Sequence, residues 1–138
     1  MTRLTVSFGC IITLFTASLG AQSPSSYQTL GRDLLRELVE TNTTYSNGST
    51  TKAAELLAAR FRAAGFPATD VQIVGPDSGR NAKDKNLVVR YRGRGARAPV
   101  VLIGHLDVVE ARRADWVLDP FTLTERDGHV YGRGTLDM

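Results

Sequence analysis

The stretch that decides the fold is Pro99-Val100-Val101-Leu102-Ile103-Gly104-His105-Leu106-Asp107. Its apolar, partly β-branched run, preceded by Arg, Gly and Pro, reads as the buried central strand of a parallel sheet, Pro99 to Leu106. Active sites in such sheets collect at the carboxyl ends of strands, which is where His105 and Asp107 fall. Residues two apart on a strand project to the same side, so the Asp107 carboxylate is expected to reach the His105 imidazole or an ion beside it. Taken alone, His-x-Asp is a weak pattern, and a histidine at a strand end is more often a structural residue. A second polar cluster, Gly132-Arg133-Gly134-Thr135-Leu136-Asp137, follows some thirty residues later.

Working outward, the remaining chain reads as helices followed by strands. Leu30, Leu34, Leu35, Leu38 and Val39 recur at helical spacing, and Lys52 to Phe61 form a second helix capped by Ser49 or Thr50. Gly65 stops that helix, with Pro67 just beyond. Thr41 to Thr51 is a loop by composition. Val71–Val74 and Asn86–Tyr91 read as strands, and Phe121–Thr124 and His129–Tyr131 flank the hairpin turn Asp127-Gly128. The order of elements, without internal repeats, indicates an α/β layer fold.

The first 21 residues form a cationic start, an apolar stretch and small residues suited to cleavage, and are read as a secretory signal peptide. The apolar part is short for a membrane span. This predicts a secreted or periplasmic protein, with no membrane attachment after cleavage. Cys10, the single cysteine, lies within this leader, so the mature chain has no disulfide. Loss of Arg3 with the leader takes the 17 basic residues to 16, against 14 acidic ones, a balance that does not point to nucleic acid. Arg90, Arg92, Arg94 and Arg97 read as a solvated strand-and-turn face. Asn42-Thr43-Thr44 and Asn47-Gly48-Ser49 match the glycosylation pattern but read as loop chemistry.

Gly104-His105-Leu106-Asp107-Val108-Val109, Asp115-Trp116-Val117-Leu118-Asp119-Pro120-Phe121 and Tyr131-Gly132-Arg133-Gly134-Thr135-Leu136-Asp137-Met138 together resemble the two-zinc exopeptidase family of aminoacylase, glutamate-releasing carboxypeptidases, dipeptidases and succinyl-diaminopimelate desuccinylase. Glu37-Leu38-Val39-Glu40, Thr50 to Glu55 and Arg62 to Phe66 look like that family's amino-terminal helices. The resemblance implies that residues 22–138 are the amino-terminal portion of a metallopeptidase catalytic domain, with a mixed sheet flanked by helices. It implies that His105 is a zinc ligand, that Asp107 is a catalytic residue orienting it, and that Asp137 bridges two zincs. A carboxylate has two oxygens, so one aspartate can serve two cations about 3.5–4 Å apart.

The activity implied is hydrolysis of peptide or N-acyl amino acid amide bonds by a metal-activated water. The family's Glu-Glu pair, further acidic ligand and distant histidine have no counterpart here, so the chain alone is expected to be inactive. Homodimerisation is an expectation for the full-length protein only. A noncatalytic binding module retaining the fold is the alternative. Trp116, Asp119, Pro120 and Phe121 are expected to pack against the loop carrying His105 toward Asp137, and Glu110, Asp115 and His129 are read as surface residues without a site role.

Overall fold

The computed structural model describes residues 25–78 and 80–137, so the expected leader, 1–21, and Cys10 lie outside the described residues. Two helices, α1 (Ser26–Glu40) and α2 (Thr50–Ala63), precede two antiparallel hairpins, β1 (Val71–Val74) with β2 (Asn86–Val89) and β3 (Thr124–Arg126) with β4 (His129–Tyr131). The fold is mixed α/β.

Both helices begin where side chains satisfy their free N–H groups. Ser25 Oγ accepts from the Gln28 amide while Gln28 Oε1 accepts from the Ser25 amide, a reciprocal cap that starts α1 earlier than its apolar stripe does. Ser49 Oγ accepts from Lys52 N and starts α2. The end of α2 shows why Gly65 is needed. Gly65 N donates to Arg62 O and Phe66 N to Phe61 O, closing the helix around a φ of +90° at Gly65. The rings of Phe61 and Phe66 then meet edge to face at 5.2 Å, sealing the exit.

The core lies between α2 and the first hairpin. Ala53, Ala54, Ala58 and Val71 are buried. Alanines on one helical face let the backbone lie close to β1 and β2 at little cost in side-chain entropy. The strand register pairs Val71 with Val89 and Val74 with Asn86. Asp70, whose side chain is 2% exposed, anchors the open end of this hairpin by accepting from Arg92 Nε and an Nη at 2.7 Å each, with Arg90 3.7 Å away. Arg90 and Arg92 are 66% and 63% exposed, in keeping with a solvated face, and from that face they also partner the buried carboxylate. The pattern of the sequence could not show this because Asp70 is distant along the chain.

α1 covers the second hairpin. Arg32 and Arg36 both pair with Glu125, and Arg36 also donates to Leu123 O. Val39 is buried against Gly132, where an added Cβ would stand 2.6 Å from Val39 Cγ1. Asp127 and Gly128 have φ of 52° and 75°, the geometry of the two-residue hairpin turn expected there. Arg60 pairs with Glu37, linking α2 to α1.

The expected central strand, Pro99 to Leu106, is not a strand here. Val100, Val101, Leu102 and Ile103 are 76–93% exposed, and the one parallel pairing among the described residues is an isolated bridge between Thr44 and Val108. The physical reason is that a strand exists only with neighbours to take its N–H and C=O groups, and the described β1 to β4 pair among themselves. A β-rich, apolar composition specifies the tendency and not the partner.

Two predictions follow from these contacts. The Arg92 guanidinium bonded to Asp70 holds its carboxyl below the ordinary value, and Arg60 does the same to Glu37. Carboxyls depressed in the folded state contribute stability that is complete above their unfolded values, about 3.9 and 4.3, and is lost as pH falls through the folded ones. The unfolding midpoint should fall as pH drops below about 4, and Asp70→Asn should lower it at neutral pH while flattening the acid limb, read by circular dichroism melts across pH. Gly134 has φ +88°, and an added Cβ would lie 2.9 Å from Val108 Cγ1. Gly134→Ala should cost about 1–2 kcal/mol from the backbone conformation alone, measured by denaturant unfolding.

Candidate metal centre

His105, Asp107 and Asp137 come together although no common strand carries them. The segment 105–110 is held at Val108, whose amide lies 3.5 Å from Thr43 O, and at Glu110, whose two carboxylate oxygens accept from Ser46 N and Ser46 Oγ at 2.9 Å. These bonds hold the Glu110 carboxyl below its ordinary value. The Asp137 segment is held through Arg133, whose amide donates to Pro120 O at 2.7 Å and whose guanidinium lies 4.9 Å from the centre of the Trp116 ring. Thr135 Oγ1 donates to Gly132 O, closing the turn that presents Asp137. Pro120 is fully buried, Trp116 and Phe121 are half-buried, and Asp119 accepts from Phe121 N, while Val117 is exposed.

The imidazole of His105 sits between two acidic residues. Its Nδ1 lies 2.9 Å from the backbone carbonyl of Asp107 and 3.5 Å from Asp107 Oδ1, and its Nε2 lies 3.7 Å from Asp137 Oδ1. The close partner is thus the main-chain oxygen of Asp107 and not its carboxylate, which corrects the expectation of two side chains on one strand face. Without a strand the two residues do not alternate, and the chain folds back so that the carbonyl meets the ring. A carbonyl can only accept, so Nδ1 donates in this contact and Nε2 is left facing the Asp137 carboxylate. A cation or proton between Nε2 and that oxygen would make the approach favourable.

Such an arrangement fits a metal ion. Zinc holds nitrogen at about 2.0–2.1 Å and carboxylate oxygen at about 2.0–2.2 Å, so two donors of one ion stand at most about 4.3 Å apart, and 3.7 Å lies within that limit. Among the described residues no group of three or more His, Cys, Asp or Glu could by itself hold a metal ion, so His105 and Asp137 would need further donors to do so. They open on a cleft of about 890 Å³ whose walls include Trp116, His129, Arg133 and Asp137. His129 lines this cleft, but its Nδ1 is taken by Asp127 O at 2.9 Å. Glu110, read from the sequence as a surface residue, is exposed but bonded to Ser46. Its partner is 64 positions away, and no local spacing marks it.

Comparison with known proteins finds similar sequences over this part of the chain. Residues 101–138, which contain both acidic residues and the histidine, match Peptidase family M20/M25/M40. Succinyl-diaminopimelate desuccinylase of Delftia acidovorans is 44% identical over 86 residues, covering 61% of this chain and 21% of that protein. Acetylornithine deacetylase of Pasteurella multocida is 40% identical over 86 residues, covering 61% of this chain and 20% of that protein. An N-fatty-acyl-amino acid synthase/hydrolase of Xenopus tropicalis is 54% identical over 39 residues, covering 28% of this chain and 8% of that protein. The chain thus spans about a fifth or less of the length of these curated relatives. No solved structure matches it at a significant level. Over residues 101–138 the chain is thus similar to peptidase family M20/M25/M40, and over a longer stretch to these relatives.

Proposed function

We propose that the protein containing this chain is a zinc-dependent amide hydrolase that cleaves the acyl–nitrogen bond of N-acyl amino acids or of small peptides. The observation that carries this reading is the approach of His105 Nε2 to the Asp137 carboxylate at 3.7 Å, with the opposite ring nitrogen tied to Asp107. In this reading His105 and Asp137 would help hold the metal. Bound zinc would supply a polarised carbonyl and a water acidic enough to attack it near neutral pH.

The chain's own residues account for the preparation of that chemistry. The Asp107 carbonyl fixes the imidazole tautomer and ring angle, and the nearby Asp107 carboxylate strengthens the ring as a donor. Asp137 lines the same cleft as His105, and a substrate amide would be bound there. The general base and the other ligands belong to further sequence of the protein. An acylated amino acid is favoured as substrate because the names of the relatives describe removal of succinyl and acetyl groups and handling of N-fatty-acyl amino acids. Residues 1–21 support export of the protein, and a homodimer is the assembly the family resemblance suggests.

The test uses the full-length protein with N-acetyl and N-succinyl amino acids, following release of free amine. Activity should disappear on dialysis against a chelator and return with zinc. Asp137→Ala should reduce kcat/KM on the order of 100-fold or more, whereas Asp115→Ala, at an exposed residue paired with Arg112, should leave it unchanged. Equal activity in wild type and Asp137→Ala would overturn the assignment.

A further inference from the structure

Glu110 touches both segments that flank it in space, and its two ends do so with different groups. Its carboxylate accepts two bonds from Ser46, on the loop between α1 and α2, each at 2.9 Å. Its main-chain carbonyl lies 3.4 Å from Arg133 Nη2, on the segment that presents Asp137. Lys83 adds to the same junction by donating to Tyr45 O, with Ser46 O 3.4 Å away. The residue therefore stands between the body of α1 and α2, the His105 segment and the Asp137 segment. A main-chain tie nearby, Val108 N to Thr43 O in the isolated bridge with Thr44, is long at 3.5 Å. Upstream of His105 the chain from 100 to 103 is exposed and supplies no anchor. The placement of the His105 ring relative to Asp137 thus leans on the Glu110 end of its segment.

We propose that Glu110 is a positioning residue for the metal centre: its grip on Ser46 sets the separation of His105 and Asp137 and thereby the affinity for metal. This rests on the proposed metal-dependent hydrolase. Charge-assisted bonds to a main-chain N–H and a hydroxyl from one residue fix direction as well as distance, which a single contact would not do. Metal ligands held slightly out of place lose affinity because the ion tolerates only a narrow range of bond lengths.

The experiment measures zinc affinity of the full-length protein by competition with a chromophoric chelator, well below the melting midpoint of each variant, with kcat and KM determined alongside. Glu110→Ala should weaken zinc binding about 10-fold, as loss of a residue supporting the ligands does, and lower kcat with little change in KM. Ser46→Ala keeps the main-chain bond and should fall in the same direction by less. The double variant should be no weaker than Glu110→Ala alone, because both remove one interaction. A merely structural role would lower the melting midpoint and leave zinc affinity at wild-type strength, and that result overturns the proposal. If Glu110→Ala does not fold, Ser46→Ala decides by the same criterion. A wild-type protein that binds no zinc overturns the hydrolase reading and this proposal together, while zinc-binding wild type with unchanged variants overturns this proposal alone.

Discussion

The loop from Thr41 to Ser49 constrains everything around it, and Gly48 is its tightest point. A Cβ there would stand 2.3 Å from Thr44 N, so the loop closes on itself only with glycine at that position. Gly48 N donates to Thr44 O and Ser49 N to Asn42 O, while Asn42 Oδ1 accepts from the amide and hydroxyl of Thr44. Thr43 and Thr44 are buried in consequence. This compact loop then reaches in three directions. Ser49, Thr50 and Thr51 donate their hydroxyls to the carbonyls of residues 82–85, Thr44 bridges Val108, and Ser46 holds Glu110.

The same arrangement explains how two small hairpins and two helices present one site. α2 lies on β1 and β2 through its alanine face, and α1 lies against the β3–β4 hairpin through Arg32, Arg36 and Val39. The loop and the Arg60–Glu37 pair join those halves. That pair is partly exposed and surface ion pairs contribute little, so the hydrogen-bonded loop is the firmer link. His105 and Asp137 meet where the two halves do. Neither residue is held by its own secondary structure, which is why the tertiary ties at Glu110 and Arg133 matter to their separation.

Local features were legible wherever the information was local. The α2 cap at Ser49, its stop at Gly65, the Asp127-Gly128 turn and the strand at Val71–Val74 all follow from residues within a few positions of one another. The choice of His105 and Asp137 came from ordered motifs, and the structure brings those two within 3.7 Å. What the sequence withheld were partners far along the chain: Arg92 for Asp70, Ser46 for Glu110, and the carbonyl in place of the carboxylate of Asp107 at the His105 ring. The apolar run from Pro99 misled for a related reason. Strand character is completed by a neighbour, and the pattern of one segment does not name it.

The exposure of Val100 to Ile103 has a consequence for how the chain behaves before it is fully assembled. Four consecutive β-prone, uncharged residues with free main-chain groups are a template on which a second chain can align and grow a fibril-like ladder. The residues just upstream oppose that fate: Arg94 and Arg97 carry like charge into any stacked copy, and Pro99 has no N–H to offer it. Such residues are the kind that disfavour stacking of exposed apolar runs.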